Sequence, residues 1–102
     1  MEAGEKKKPF VTEVRIQLTQ KPPILAFASV TLWGAIVVHD LRLLRRNDGS
    51  RVVLMPRLKA PDGSWSPVAH PIREDARKRI EECVISAFED LAGRRNKDRL
   101  SA

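Results

Sequence analysis

Residues 24–55 read ILAFASVTLWGAIVVHDLRLLRRNDGSRVVLM, and their reading decides the fold. Ile24–Leu32 is dense in apolar and β-branched side chains, the composition of a strand. Trp33-Gly34-Ala35 makes a turn, Ile36–Arg46 gives the next strand, and Asn47-Asp48-Gly49 closes it, with Asp-Gly supplying the positive φ a tight hairpin wants. Arg51–Met55 then pairs back. Upstream, Phe10–Gln20 alternates: Val14, Ile16 and Leu18 lie on one side with Glu13, Arg15 and Gln17 between them, the period of a half-buried strand. Lys21-Pro22-Pro23 cannot continue that ladder. Four strands joined by short turns predict an antiparallel meander.

Downstream, residues 56–71 hold four of the seven prolines, Pro56, Pro61, Pro67 and Pro71, around a Pro61-Asp62-Gly63 turn signal. A short fifth strand near Ser64–Ala69 is expected, held at a sheet edge by Pro67. From Arg73 to Ala92 the period becomes helical, with Ala76, Ile80, Cys83, Val84, Ala87, Phe88 and Leu91 in one stripe and Gly93 as the expected stop. The fold class is therefore α+β: an antiparallel meander of four to five strands followed by one long helix. The organisation expected is a flexible basic segment over 1–9, one domain over 10–92 and a mobile basic tail over 93–102. Val37, Leu41 and Leu43 fall on one parity of the third strand, and Ile36, Val38 and Leu44 on the other. One helix covers one sheet face, so a homodimer is expected to cover the second. Ile85, projecting from the charged side of the helix, would be stranded in a monomer.

At 102 residues one domain is expected. The single Cys83 excludes an intramolecular disulfide, and with only His39 and His70 beside it a structural zinc site lacks ligands. MEAGEKKKPF is not a signal peptide, and the uncharged run 22–38 is too short and too polar for a membrane helix. The expected location is cytoplasmic. Nineteen Lys and Arg against thirteen Asp and Glu give +6, a balance favouring polyanionic partners. The charge divides as +5 over residues 1–70, −2 over 71–92 and +3 over 93–102.

No catalytic constellation stands out. In a regular strand His39 and Asp40 point to opposite faces and cannot act as a dyad, and His39, on the parity of Val37 and Leu41, reads as a hydrogen-bonded core or interface residue. His70, held extended by Pro71, reads as structural. Trp65, near Arg57 and Lys59, either anchors the loop to the core or stacks on an unpaired base, the anchor being the commoner arrangement. Cations early in a helix oppose its dipole at about 0.3 kcal/mol each. Glu74 with Lys78 and Asp75 with Arg79 are favourable i,i+4 pairs. Arg73 and Arg77 are left over, and together with Arg57, Lys59 and the neighbouring Lys78 they form the expected phosphate-contacting patch.

The order of motifs resembles the stage V sporulation protein G (SpoVG) family of septation regulators: VTEVRI at 11–16, ASVTL at 28–32, IVVHDLRL at 36–43, MP at 55–56, PDG at 61–63 and AHPI at 69–72, followed by Ala76, Arg77 and Ile80. The resemblance implies a small homodimeric α+β protein that binds DNA and RNA and regulates genes for septation, sporulation or the cell envelope; from the residues themselves no enzymatic activity, cofactor, small-molecule substrate or membrane is expected. A division-machinery adaptor without nucleic-acid binding is the alternative. Three positions depart from the family pattern: Arg57 where a Ser is usual, Ser66-Pro67-Val68 in place of a charged pair, and Arg73-Glu74 in place of polar helix-cap residues.

Overall fold

The computed structural model describes residues 9–101, with side-chain environments up to Gly93. The expected basic segment at the start therefore lies almost wholly outside the described residues, as do the side chains of the expected tail. Four strands, β1 (Val11–Leu18), β2 (Ile24–Leu32), β3 (Ile36–Arg45) and β4 (Arg51–Leu54), form one antiparallel sheet in chain order. The meander read from the sequence is correct. A second, two-stranded sheet pairs β5 (Arg57–Lys59) with β6 (Trp65–Pro67), and α1 (Glu74–Ser101) follows. The expected fifth strand is thus β6. It does not extend the main sheet but closes a separate hairpin against β5, a strand too short for its alternation to be visible.

The core lies between the sheet and α1. Ala26, Ala28 and Val30 of β2, Leu41 and Leu43 of β3, Val53 of β4 and Ile80 and Val84 of α1 are all buried. Val14, Ile16 and Leu18 oppose the buried β2 residues across the ladder and pack around them. Small side chains in the middle strand let the helix approach the sheet, and the larger aliphatics of β1 and β3 close in from both sides. Ile85 also packs against this core, so it is not stranded as expected; its place on the helix reaches the sheet beside Val84 and Phe88.

The chain reverses through turns whose chemistry matches their geometry. Trp33 and Gly34 both have positive φ, 53° and 65°, as a two-residue hairpin requires. A bulky residue rarely adopts this conformation, and here β1 clamps it. The Trp33 amide donates to the Phe10 carbonyl at 2.9 Å, the Gly34 amide donates to Thr12 Oγ1 at 3.0 Å, and the two rings meet edge to face with centroids 5.1 Å apart. Asp48-Gly49-Ser50 and Asp62-Gly63-Ser64 repeat one device. Each Asp accepts from the Ser amide at 2.9 Å and from the Ser hydroxyl at 2.7 Å, around a glycine with φ near 90°.

Two findings differ from the sequence reading. The first is a β-bulge in β3. Val30 pairs with Val38 and Ala28 with Leu41, so β3 spends one residue more than β2 over this interval, and Asp40 sits there at φ 67°. The extra residue reverses the parity: Val38, Leu41 and Leu43 face the helix, while Val37, His39, Arg42 and Leu44 belong to the opposite side. His39 is therefore exposed rather than in the core. The second is the helix end. α1 runs through Gly93 to Ser101 instead of stopping at Ala92. A helical glycine costs about 1 kcal/mol relative to alanine, which weakens a helix without ending it, and Arg94, Arg95, Lys97, Arg99 and Leu100 that follow are good helix formers.

Candidate nucleic-acid interface

The cations proposed as one patch occupy two separate places. Arg57 and Lys59 sit on β5, within the hairpin that follows Met55-Pro56. Arg73, Arg77 and Lys78 sit at the start of α1, which packs on β1, β2 and β4. The hairpin and the helix start are not extensively packed on each other, so within one copy of the chain Arg57 and Lys59 stand apart from Arg73, Arg77 and Lys78.

At the helix start the pairing is the reverse of the one expected. Arg77 donates to Glu74, three residues back, and at 2.9 Å to Glu81, four residues on. Arg73 holds Asp75 through two hydrogen bonds, 3.0 Å from Nε and 2.6 Å from a terminal nitrogen. These bonds pull the Glu74 and Asp75 carboxyls below their ordinary range and push the Arg77 guanidinium up. Lys78 and Arg79 are exposed and have no ion pair among the described residues. Carboxylates within hydrogen-bonding distance offset the charge of Arg73 and Arg77, and Lys78 and Arg79 lack such partners among the described residues. Sequence spacing allows both i,i+3 and i,i+4 partners, and the longer, forked Arg side chain reaches a carboxylate on either side where Lys makes a point contact.

The hairpin is a different environment. Lys59 and Trp65 are cross-strand partners, and Arg57 lies two residues along the same face. The Arg57 guanidinium stands 4.8 Å from the Trp65 ring centroid and the Lys59 ammonium 5.7 Å. Neither cation has a carboxylate partner among the described residues. Trp65 is 48% exposed and takes no part in the core, so it does not anchor the loop as the commoner reading had it. The opposite face of the hairpin carries Leu58 and Val68, 67% and 64% exposed. That face borders a cleft of about 510 Å³ against Ile36–Asp40 of β3, whose outer edge has no strand beside it because β4 pairs only with Arg42–Arg45.

The two histidines are both exposed. His39 lies on the open sheet face near Arg15, Gln17 and Phe27, with no side-chain hydrogen bond among the described residues. Asp40 beside it is the bulge residue. His70 makes a 3.3 Å contact from Nδ1 to the carbonyl oxygen of Pro71, and the two residues help to line a groove of about 760 Å³ between the helix start and Phe10, Leu32 and Trp33. Among the described residues no group of three His, Cys, Asp or Glu could hold a metal ion, and no helix is long and apolar enough to cross a membrane.

A four-stranded meander backed by one long helix, with a cationic aromatic hairpin standing off the sheet, defines a small α+β domain whose distinctive surface is that hairpin. The SpoVG family model matches residues 10–90, and the chain belongs to the SpoVG family. It is similar to the protein named "Putative septation protein SpoVG" in Staphylococcus aureus (strain MRSA252), 38% identical over 82 residues that cover 79% of this chain and 81% of that protein. The protein of the same name in Staphylococcus carnosus (strain TM300) is 40% identical, covering 78% and 75%. The protein named "Putative septation protein SpoVG 1" in Listeria monocytogenes serotype 4b (strain F2365) is 36% identical, covering 78% of each chain. Membership supports a role related to septation or sporulation, and the family is named for that role and not for an enzymatic activity.

Proposed function

We propose that this protein is a non-enzymatic, homodimeric nucleic-acid-binding regulator acting on septation, sporulation or cell-envelope gene expression. The observation that carries the reading is the pair Arg57 and Lys59: two cations on an exposed hairpin, without carboxylate partners among the described residues, in a chain of net charge +6. Unneutralised cations on a projecting element are what a phosphate backbone needs, since each contact releases a condensed counterion. The dimer rests on what a single copy leaves in water. Ile36, Val37, Leu58 and Val68 are 46–67% exposed around the unpaired edge of β3, an arrangement that invites a second strand. A second copy would meet the same edge isologously.

The test is a salt titration of duplex binding by the parent, Arg57→Ala/Lys59→Ala and Arg77→Ala. With both hairpin cations on phosphates in each copy of a dimer, their removal lowers the log-log slope by up to about 3.6, whereas Arg77→Ala leaves it nearly unchanged. Binding that is absent, or independent of salt, moves the weight to the adaptor reading. In that case the apolar cleft beside β3 is the surface that remains to be explained.

A further inference from the structure

The hairpin carries more than phosphate binding requires. Phosphate contact needs cations and backbone donors, and an aromatic ring adds nothing to it. Trp65 stands half-exposed on the hairpin, opposite the cross-strand Lys59 and outside the core, so part of its ring is open to a ligand. Among the described residues two cations lie over its ring. A duplex keeps its base faces inside the stack, so a tryptophan face has no counterpart there. An unpaired strand offers every base face, together with a phosphate on either side of it.

We propose that Trp65 is a stacking platform for an unpaired base, flanked by Arg57 and Lys59 as ligands for the adjoining phosphates, so that the protein prefers single-stranded over double-stranded nucleic acid. This deepens the nucleic-acid reading given above and rests on it. The juxtaposition is built by the register: Lys59 opposite Trp65, and Arg57 opposite Pro67, put all three functional side chains on one face of a ribbon three residues long. A base displaces little when it arrives. An exposed cation–π pair is weaker than base–aromatic stacking, and the cations retain favourable partners when they swing to the phosphates. The Asp62-Gly63-Ser64 turn fixes the ribbon's end, with the Gly63 amide bound to the Ala60 carbonyl at 2.9 Å, so the platform is formed before the strand binds.

The experiment compares a short labelled oligothymidylate with a duplex of the same length, using the parent, Trp65→Ala, Trp65→Phe and Arg57→Ala/Lys59→Ala. Far-UV circular dichroism confirms each fold, and since Trp65 lies outside the core all should pass. Trp65→Ala should weaken single-strand binding roughly 5- to 150-fold with little change in duplex binding, while Trp65→Phe should recover much of the loss. In a Trp33→Phe background the remaining indole fluorescence should be quenched when the oligothymidylate binds. Trp65→Ala that leaves single-strand affinity unchanged, or lowers both affinities equally, overturns the proposal while leaving nucleic-acid binding intact. So does a parent that favours the duplex. A parent that binds neither form overturns the underlying reading and this proposal with it.

Discussion

Replacing Gly93 by alanine should stabilise the protein, because α1 passes through that position instead of ending there. Gly93 is exposed, its φ lies outside the left-handed range, and a Cβ built on it would meet nothing within 4 Å. The substitution therefore adds no clash and buries no new surface; it acts through the conformational freedom glycine has in the unfolded chain and through helix propensity. The expected gain is about 0.5–1 kcal/mol. For a domain of this size each kcal/mol moves the melting temperature by roughly 4–8 °C, so a rise of about 2–8 °C is the readout. Thermal scans of both proteins must be run at one protein concentration, since self-association would make the midpoint concentration-dependent. Far-UV circular dichroism should show no loss of helix. A fall in the midpoint would refute the reasoning: it would mean that Gly93 adopts the left-handed conformation of a helix C-cap, where alanine is strained, and that the helix stops where the sequence alone suggests.

Acid should weaken both hairpin turns and the helix start. Asp48 and Asp62 have carboxyls lowered from the ordinary 3.8, chiefly by the serine hydroxyl donated to each, and Glu74 and Asp75 are lowered chiefly by their arginine partners. A depressed folded-state value means that the stabilisation is complete above the unfolded value and is lost as the pH falls through the folded one. Denaturation midpoints should accordingly decline below about pH 5, and Asp48→Asn/Asp62→Asn should show a shallower decline; parallel acid profiles would count against the turn assignment. His39→Gln should change stability by less than about 0.5 kcal/mol, as surface substitutions do. A loss of several times that in a chemical denaturation series would put His39 back in a buried, hydrogen-bonded site.

The order of elements was legible because it rests on local signals: the alternation of Val14, Ile16 and Leu18, the Asp-Gly turns, and the helical stripe through Ile80 and Val84. The facing of β3 was not. Period-two reasoning assumes that every residue of a strand is paired, and nothing in IVVHDLRL announces that one is extra. Asp tolerates positive φ better than most residues, which is compatible with a bulge at Asp40 but does not require one. The consequence is large because a one-residue slip exchanges the two faces of everything before it. His39 moved from an expected core position to the open face, and Val38 moved inward to pack beside Leu41 and Leu43. The hairpin was half legible. Pro61-Asp62-Gly63 marks its turn, but strands of three residues are below the length at which alternation can be read.

The candidate site shifted for a reason that sequence spacing cannot resolve. Glu74 has Arg77 and Lys78 three and four positions on, Asp75 has Lys78 and Arg79, and Glu81 has Lys78 and Arg77 three and four positions back, so each could be assigned to either of two partners. The geometry assigns Arg73 and Arg77 to carboxylates and leaves Lys78 and Arg79 without them among the described residues. Cation counts alone rank Arg73 and Arg77 with Arg57 and Lys59; counting the carboxylate within reach of each ranks them apart. What separates a phosphate ligand from a structural arginine is the absence of a competing anion. Arg57 and Lys59 meet that condition with an aromatic neighbour in place of a carboxylate, and an aromatic ring attracts a cation without neutralising its charge. Their net field therefore remains available at the surface. A cation held over Trp65 is oriented yet still fully charged, and that combination gives the hairpin its claim over Arg73 and Arg77.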